Sequence, residues 1–226
     1  MLNLLPRLPK EKARDYAIRV LRENIISLAL EPGARVSEND LAVEMGLSRT
    51  PIREALTELG NYGIINTLPQ HGNFIAKIDY RQIEEARFVR LALETAVVRE
   101  ACDLASQSDW DEFAVNLHVQ KMYADNGNAQ KLLEMDDQFH RSIFVICDKI
   151  LTYDMMRKLS VHADRVRQLS LATLKDLGVV EDHLEILAAL KARDKDRAQA
   201  VMIRHLTRYK TEKTFIEQRH RHLMVI

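Results

Sequence analysis

The stretch "LSRTPIREAL", residues 47–56, begins a helix with a proline and two arginines. Proline in a helix interior costs about 3 kcal/mol, so Pro51 must lie in the first turn, where its missing N–H is not needed. Ser48 then precedes the helix as its N-cap. Arg49 and Arg53 are unexpected there because the helix dipole favours negative side chains at this end. The stretch therefore predicts that negative charge from outside the helix faces both arginines.

The composition fits a soluble protein of one large or two modest domains. Of its 226 residues, 46% are hydrophobic and 29% are charged, both ordinary for globular proteins. No apolar run approaches the roughly 20 residues of a membrane helix, and the N-terminus lacks a signal-peptide pattern. Cys102 and Cys147 are expected to be buried thiols in a reducing cytoplasm. Since the formal net charge is +0, a nucleic-acid partner must be argued from local features.

Glycine and proline divide the chain into two parts. All five prolines and five of the seven glycines fall within residues 1–72. The remaining 226 − 72 = 154 residues contain only Gly127 and Gly178 as breaks, which predicts long helices joined by short turns. We therefore expect a compact first domain over residues 1–78 and a helical bundle over residues 79–226.

The first domain is predicted to be a winged helix-turn-helix. Apolar residues at three- and four-residue steps indicate an amphipathic helix over residues 10–29. Ser37 caps a short helix that Gly46 ends, and Ser48 begins the third helix. The segments "IINTL" and "NFIAKI" flank "PQHG" and predict a β-hairpin in which Gly72 adopts a positive φ.

The second domain is predicted to be an antiparallel α-helical bundle, which makes the fold mainly α. Long helices are predicted over residues 81–105, 128–147, 149–174, 180–192 and 196–218. Ser108 with Asp111 resembles a capping box that begins one further helix. The C-terminal "QRHRHLMVI", residues 218–226, is either a frayed helix end or a strand, and we expect its basic part, "QRHRH", to be solvated.

The exposed face of the third helix points to DNA. Arg49, Thr50 and Arg53 share the face opposite its apolar stripe. A helix-turn-helix inserts this end of its second helix into the major groove, where arginine binds guanine or phosphate. The alternative is a merely solvated face. Residues 1–22 favour DNA because they carry six basic residues against Glu11 and Asp15. Residues 1–78 total only 10 − 9 = +1, so we expect a homodimer to be needed for binding.

A metal site is possible in the bundle. In "MDDQFHRSI", residues 135–143, Asp136 and His140 are four apart and share a helix face. His183 and His205 lie within apolar helices. Three histidines and a carboxylate aimed at one interior would suit zinc, nickel or manganese. Spacing alone favours the alternative of individually hydrogen-bonded histidines.

The other histidines fit no such pattern. His118 and His162 lie on predicted helices without a partner in the motif, and both are expected to face solvent. His220 and His222 belong to the basic C-terminal segment.

Residues 36–76, "VSENDLAVEMGLSRTPIREALTELGNYGIINTLPQHGNFIA", resemble the winged-helix module of GntR-family transcriptional regulators. The resemblance implies that Arg49 and Arg53 read the operator. It also implies that Arg35 and Thr50 approach phosphates, and that the wing tip, His71 and Gly72, enters the minor groove. One departure is His71, because the family often has arginine at this wing position, whereas histidine is mostly neutral at pH 7.

Residues from about 80 to 218 resemble the FCD ligand-binding domain of the FadR-like branch of this family, through "RFVRLALE", "DDQFH", "EDHLEIL" and "ALKARDKDRAQAVMIRHL". The resemblance implies that a divalent metal binds an organic-acid effector and is itself held by Asp136, His140, His183 and His205.

Two arginines are expected to bind the effector. Arg90 matches a family arginine that pairs with effector carboxylates, and Arg165 is expected as a second. The alternative for Arg90 is a surface ion pair with Glu94 within one helix, worth about 0.3–0.5 kcal/mol.

Together these features predict a ligand-responsive transcriptional repressor in the cytoplasm, without enzymatic activity. As a homodimer it would bind double-stranded operator DNA, and a small carboxylate at the metal would release it. One alternative is a DNA-binding dimer with a purely structural metal. The other is a metal-dependent hydrolase, which is less favoured because no HExxH-like arrangement is present.

Overall fold

The computed structural model describes residues 1–173, 178–208 and 213–225, with the backbone alone at 171–173. The chain divides into two compact units. One comprises Met1–Tyr80 together with the C-terminal segment from Glu217, and the other comprises Arg81–Ile216. The first unit thus includes a C-terminal segment that the sequence had placed with the bundle.

The first unit is a winged helix-turn-helix, as predicted. Its elements are α1 (Ala13–Ile26), β1 (Arg35–Val36), α2 (Glu38–Met45), α3 (Arg49–Asn61), β2 (Ile65–Leu68) and β3 (Gly72–Ile75). The three strands form an antiparallel sheet in the order β1-β3-β2. The sequence did not reveal β1, because two residues are too few to show alternation.

Local turn chemistry sets the ends of these elements. The Ser37 hydroxyl accepts a hydrogen bond from the Asp40 N–H, and Gly46 ends α2 with φ +64°, both as predicted. Gly72 adopts φ +101° in the hairpin, where Gln70 also has a positive φ of 63°. Helix α1 ends earlier than predicted, since Leu28 has φ 63° and cannot continue a right-handed helix.

The second unit is helical. Its elements are α4 (Tyr80–Leu104), α5 (Gln107–Asp125), α6 (Ala129–Ile146), α7 (Ile150–Leu159), α8 (Val161–Thr173), α9 (Val179–Lys191) and α10 (Lys195–Thr207). Helix α11 (Lys213–Arg219) begins in this unit and ends in the first. Phe113 and Phe139 lie in its core with ring centroids 4.9 Å apart. The ring of Phe139 also stacks on that of His183 at 4.2 Å, so the core fixes the position of that histidine.

Three predicted details of the helices were wrong. The helix predicted over 149–174 is interrupted at Ser160, whose hydroxyl donates to the carbonyl of Met156 and so competes with the helical backbone. The helix predicted over 196–218 is two helices, α10 and α11, and residues 209–212 between them lie outside the described residues. The capping box is formed by Ser106 and Asp109, two residues earlier than predicted.

The C-terminal segment is partly buried. Its basic residues are exposed, as predicted: Arg219, Arg221 and His222. Leu223 and Met224 are buried, and Met224 forms a parallel bridge with Ile78. The Ile78 N–H donates to the Leu223 carbonyl, and the Val225 N–H donates to the Ile78 carbonyl, both at 2.9 Å. The apolar end of "QRHRHLMVI" therefore completes the packing of the first unit.

Two further expectations concern the cysteines and membrane-spanning helices. Cys102 and Cys147 are both buried free thiols, as predicted. Within the described residues, no helix is both long enough and apolar enough to span a membrane.

Candidate metal centre and DNA-binding surface

Three helices of the second unit bring one carboxylate and three imidazoles together. Helix α6 carries Asp136 and His140, α9 carries His183 and α10 carries His205. One ligand atom from each lies within 4.8 Å of the others. The Nε2 atoms of His140 and His183 are 3.1 and 3.3 Å from Nε2 of His205. Nitrogens bound at 2.0–2.1 Å around a tetrahedral ion are about 3.3 Å apart, so this spacing fits a metal site.

Each histidine turns its other ring nitrogen toward a side-chain oxygen. Nδ1 of His140 lies 2.5 Å from Oε2 of Glu94. Nδ1 of His183 lies 2.8 Å from Oε1 of Gln120. The Gln120 oxygen can only accept, so Nδ1 of His183 donates and Nε2 of that neutral ring keeps its lone pair. The Glu94 carboxylate beside Nδ1 of His140 favours the same tautomer there.

The other ring nitrogen of His205, Nδ1, lies 3.6 Å from Oδ2 of Asp182, which is too far for a hydrogen bond. That carboxylate is itself held by Arg204 and Arg208, each 2.7 Å from one of its oxygens. Three Nε2 atoms thus converge on one point, at a spacing that a bound cation would suit.

The fourth ligand, Asp136, is held by a buried ion-pair network. Its carboxylate contacts the guanidinium of Arg167. The same guanidinium lies 3.1 Å from Asp137 and 3.0 Å from Asp164, and Arg157 also contacts both of these carboxylates. Each of the four ligands therefore lies beside an outer polar partner, which is typical of metal sites.

The protonation states suit metal binding. Burial, and then the positive charge of neighbouring histidines, lowers the pKa of His183 well below its ordinary value. Burial also lowers the pKa of His205. Although burial raises the pKa of Asp136, the guanidinium of Arg167 holds it well below its usual range. Asp136 is thus ionised and the imidazoles of His183 and His205 are neutral, the forms that bind metals.

A cavity adjoins the four ligands within the second unit. It encloses about 780 Å³, including its open mouth. Much of the wall is apolar, and its polar side chains are Arg87, Arg90, Asp136, Arg167, Ser170, His205 and Arg208.

Of the two arginines predicted to bind an effector, Arg90 lines this cavity and Arg165 does not. Nε of Arg90 donates to Oε1 of Glu94 at 2.6 Å. The intrahelical pair of the alternative is therefore formed, but it is buried, with side chains 9% and 1% exposed, and does not lie on the surface. The guanidinium of Arg165 contacts Nδ1 of His162 at 2.8 Å, and burial lowers the pKa of Arg165 to about 10. The cavity-lining arginine of α8 is Arg167.

The remaining histidines divide between core and surface. His162 was expected to face solvent but is buried, because it lies on the inner face of α8. His118 is exposed, as expected. Neither belongs to the metal cluster of the described residues.

The outer partners of the site were not predicted from the sequence. Asp182 immediately precedes His183, and that neighbouring position was an available signal. Glu94 was considered only as a partner of Arg90. Gln120 lies 63 residues from the histidine it contacts, and no local pattern indicates it.

In the first unit, the predicted DNA-binding residues of α3 are exposed. The side chains of Arg49 and Arg53 are 60% and 62% exposed, and Thr50 is exposed beside them. Glu38, in the first turn of α2, lies 3.1 Å from Arg53 and 3.6 Å from Arg49. The hydrogen bond from Arg53 lowers the pKa of Glu38. The protein itself therefore supplies part of the negative charge that faces this helix start.

The other predicted DNA-binding residues lie together on the wing. Arg35 and His71 are exposed. The guanidinium of Arg35 lies over Gly72. A Cβ added at Gly72 would lie 3.4 Å from Nε of Arg35. A larger residue at position 72 would therefore be strained by its positive φ and crowded by this arginine.

These two units define a class of protein: a winged helix-turn-helix regulator with a helical domain that has a candidate metal centre. Residues 14–75 match the family described as "Bacterial regulatory proteins, gntR family", and residues 85–208 match the FCD domain. The chain belongs to the GntR family, with an FCD domain. It is a DNA-binding transcriptional regulator and not an enzyme, so the hydrolase alternative is wrong.

Known relatives agree with this assignment. The HTH-type transcriptional repressor RspR of Escherichia coli K12 is 32% identical over 199 residues, which cover 88% of this chain and 87% of RspR. The HTH-type transcriptional regulator McbR of the same organism is 27% identical over 173 residues, 74% of this chain and 77% of McbR. The solved structure of E. coli McbR/YncC has a TM-score of 0.79 at 22% identity, covering 93% of this chain and 99% of that one. A regulator from Rhodococcus sp. RHA1 has a TM-score of 0.75 at 20% identity, covering 89% and 97%.

Proposed function

We propose that this chain is a cytoplasmic repressor whose FCD domain senses a small carboxylate at a divalent metal ion. The ligands of the ion are Asp136, His140, His183 and His205. The observation that carries the proposal is the convergence of three Nε2 atoms. Those of His140 and His183 lie 3.1 and 3.3 Å from that of His205, and the Nδ1 atom of each ring faces a side-chain oxygen. A bound cation would be coordinated at once by the three imidazoles and by the buried carboxylate of Asp136.

The donor set suits zinc, nickel or manganese, because imidazole nitrogen and carboxylate oxygen bind all three. When bound, the ion supplies a buried positive charge that attracts the carboxylate of an effector. Arg90 and Arg167 line the cavity beside the ligands and can donate hydrogen bonds to the same carboxylate. A buried anion needs such compensation.

For DNA we propose that Arg49 and Arg53 contact base edges in the major groove. Arg35 and Thr50 contact phosphates, and the wing tip enters the minor groove. Regulators of this family typically dimerise, and two winged helices would contact half-sites about 34–36 Å apart.

A second copy would also account for apolar side chains exposed on the second unit. Phe88 on α4 is 72% exposed, and Leu151 and Met155 on α7 are 77% and 69% exposed. Leu151 and Met155 are four residues apart and share one face of α7, and exposed apolar faces commonly mark protein contacts. We propose that these helices contribute to the homodimer.

The relative RspR is named a repressor, which supports the same role here. An effector would release the operator only if it bound the DNA-free state more tightly than the DNA-bound state. We propose that direction of response. The alternative role of the metal, a purely structural one, predicts that removing the effector leaves DNA binding unchanged.

The test uses operator duplexes selected by the protein from a random pool, with metal content and DNA affinity measured in parallel. Wild-type protein and the exposed-site control His118→Gln should retain about one metal ion per chain, whereas His183→Gln should lose it. An acid found to bind should weaken operator affinity for the first two proteins but not for His183→Gln. Loss of metal from all three alike, or an acid response that persists in His183→Gln, would contradict the proposal.

A further inference from the structure

The cavity beside the candidate metal centre has two polar levels. Arg90 and Arg167 lie beside the ligands. Arg87 precedes Arg90 by three residues on α4, Ser170 follows Arg167 by three residues on α8, and both also line the cavity. Three residues advance a helix by about 4.5 Å. The cavity therefore continues roughly one helical turn from the ligands along both helices.

The second level includes a hydroxyl that needs a partner. Ser170 is 2% exposed, and its Oγ has no hydrogen-bond partner among the described residues. Buried hydroxyls are nearly always hydrogen-bonded, because desolvation without a partner is costly. Since this residue lines the cavity, the missing partner is expected to come from a bound molecule.

The charge of the wall favours more than one negative group. Among the described charged residues that line the cavity, four are arginines and one is Asp136, which gives 4 − 1 = +3. A divalent ion at Asp136 raises this excess further. Two nearby carboxylates that do not line the cavity, Glu94 and Asp182, offset part of this positive charge. Each of them already lies beside an arginine and a histidine.

We infer that the acid sensed at this site is a dicarboxylate of four or five carbons. This inference rests on the proposed function, because it places one carboxylate of the acid at the metal ion, beside Arg90 and Arg167. The second carboxylate lies about one helical turn away and accepts hydrogen bonds from Arg87 and from Ser170 Oγ. Apolar side chains of the wall, including Ile83 and Leu132, suit the methylene groups between the two acids.

The test is calorimetric titration of the zinc-loaded, full-length protein with four acids. Succinate and glutarate carry two charges, succinamate replaces one carboxylate of succinate by a neutral amide, and butyrate lacks the second polar group. We expect succinate or glutarate to bind about ten- to a hundredfold more tightly than succinamate and butyrate, which is the range for hydrogen bonds to a charged group.

Variants locate the second carboxylate. Arg87→Gln and Ser170→Ala should weaken dicarboxylate binding about tenfold or more, while butyrate binding stays as in wild type. The controls Arg197→Gln and Ser108→Ala make the same substitutions at exposed positions. They should change neither dicarboxylate binding nor butyrate binding.

The outcomes separate this inference from the proposed function. If zinc binds and the monocarboxylate binds as tightly as the dicarboxylates, the second subsite is wrong while the metal-held carboxylate stands. A dicarboxylate preference that survives both Arg87→Gln and Ser170→Ala also overturns the assignment. If zinc binds but none of the four acids does, both the inference and the sensing function are contradicted.

Discussion

Gln120 offers a sharp test of whether the outer contacts of the cluster serve metal binding. Its Oε1 accepts a hydrogen bond from Nδ1 of His183 at 2.8 Å, and both side chains are fully buried. Its Nε2 donates to Asn116 Oδ1 at 2.7 Å, which fixes the orientation of the amide. In Gln120→Leu the buried Nδ1–H would lose its acceptor, at a cost of about 1–3 kcal/mol.

The neutral imidazole can avoid that cost by moving its proton to Nε2, the atom that would otherwise bind the metal. We therefore expect metal affinity to fall about 10- to 100-fold, which corresponds to about 1.4–2.7 kcal/mol. Competitive zinc titration against a chromophoric chelator measures the change. The control is Gln107→Leu, the same substitution at an exposed position of the same helix. Wild-type zinc affinity in Gln120→Leu would refute the role given to this contact.

Three further predictions address other parts of the protein. Arg53→Ala should weaken operator binding by about 1–3 kcal/mol in fluorescence anisotropy and leave zinc affinity unchanged; an unchanged operator affinity would contradict its role. Burial lowers the pKa of His183 and of His205, so below about pH 6.5 the unfolded chain binds more protons than the folded one. The melting temperature of metal-free protein should therefore fall as the pH is lowered, and it should fall by the same amount in the control variant His118→Gln. A melting temperature that does not change with pH would contradict neutral rings at His183 and His205. Met224→Ala removes a side chain that is 4% exposed and should lower stability in thermal melts by about 2–5 kcal/mol, whereas a solvated C-terminus predicts no change.

The winged helix could be predicted from sequence because its limits are set by local chemistry. Ser37 and Gly46 bound α2, and Gly72 permits the hairpin turn. Each acts through its own backbone conformation or through a neighbour a few residues away. The interaction of Glu38 with Arg53 spans two helices and was not predicted, although the charge it supplies had been anticipated from the helix dipole.

The metal ligands needed more than spacing. His183 and His205 are 22 residues apart on different helices, so only the resemblance to FCD domains joined them to Asp136 and His140. Arg165 was expected to bind the effector, but Arg167 lines the cavity. Side chains two positions apart on a helix point in directions about 200° apart, so the two arginines cannot both face the cavity.

The most direct test of the central claim, a carboxylate held at a metal in the FCD domain, is a thermal-shift screen. The full-length protein is melted with small carboxylic acids, each with and without a chelator, alongside His183→Gln. A ligand at about 100 times its dissociation constant stabilises the folded state by about 2.7 kcal/mol, which a melt detects. We predict at least one acid whose stabilisation disappears both with chelator and in His183→Gln. Stabilisation that persists in both, or an absence of stabilisation by any acid in metal-loaded protein, would contradict the account.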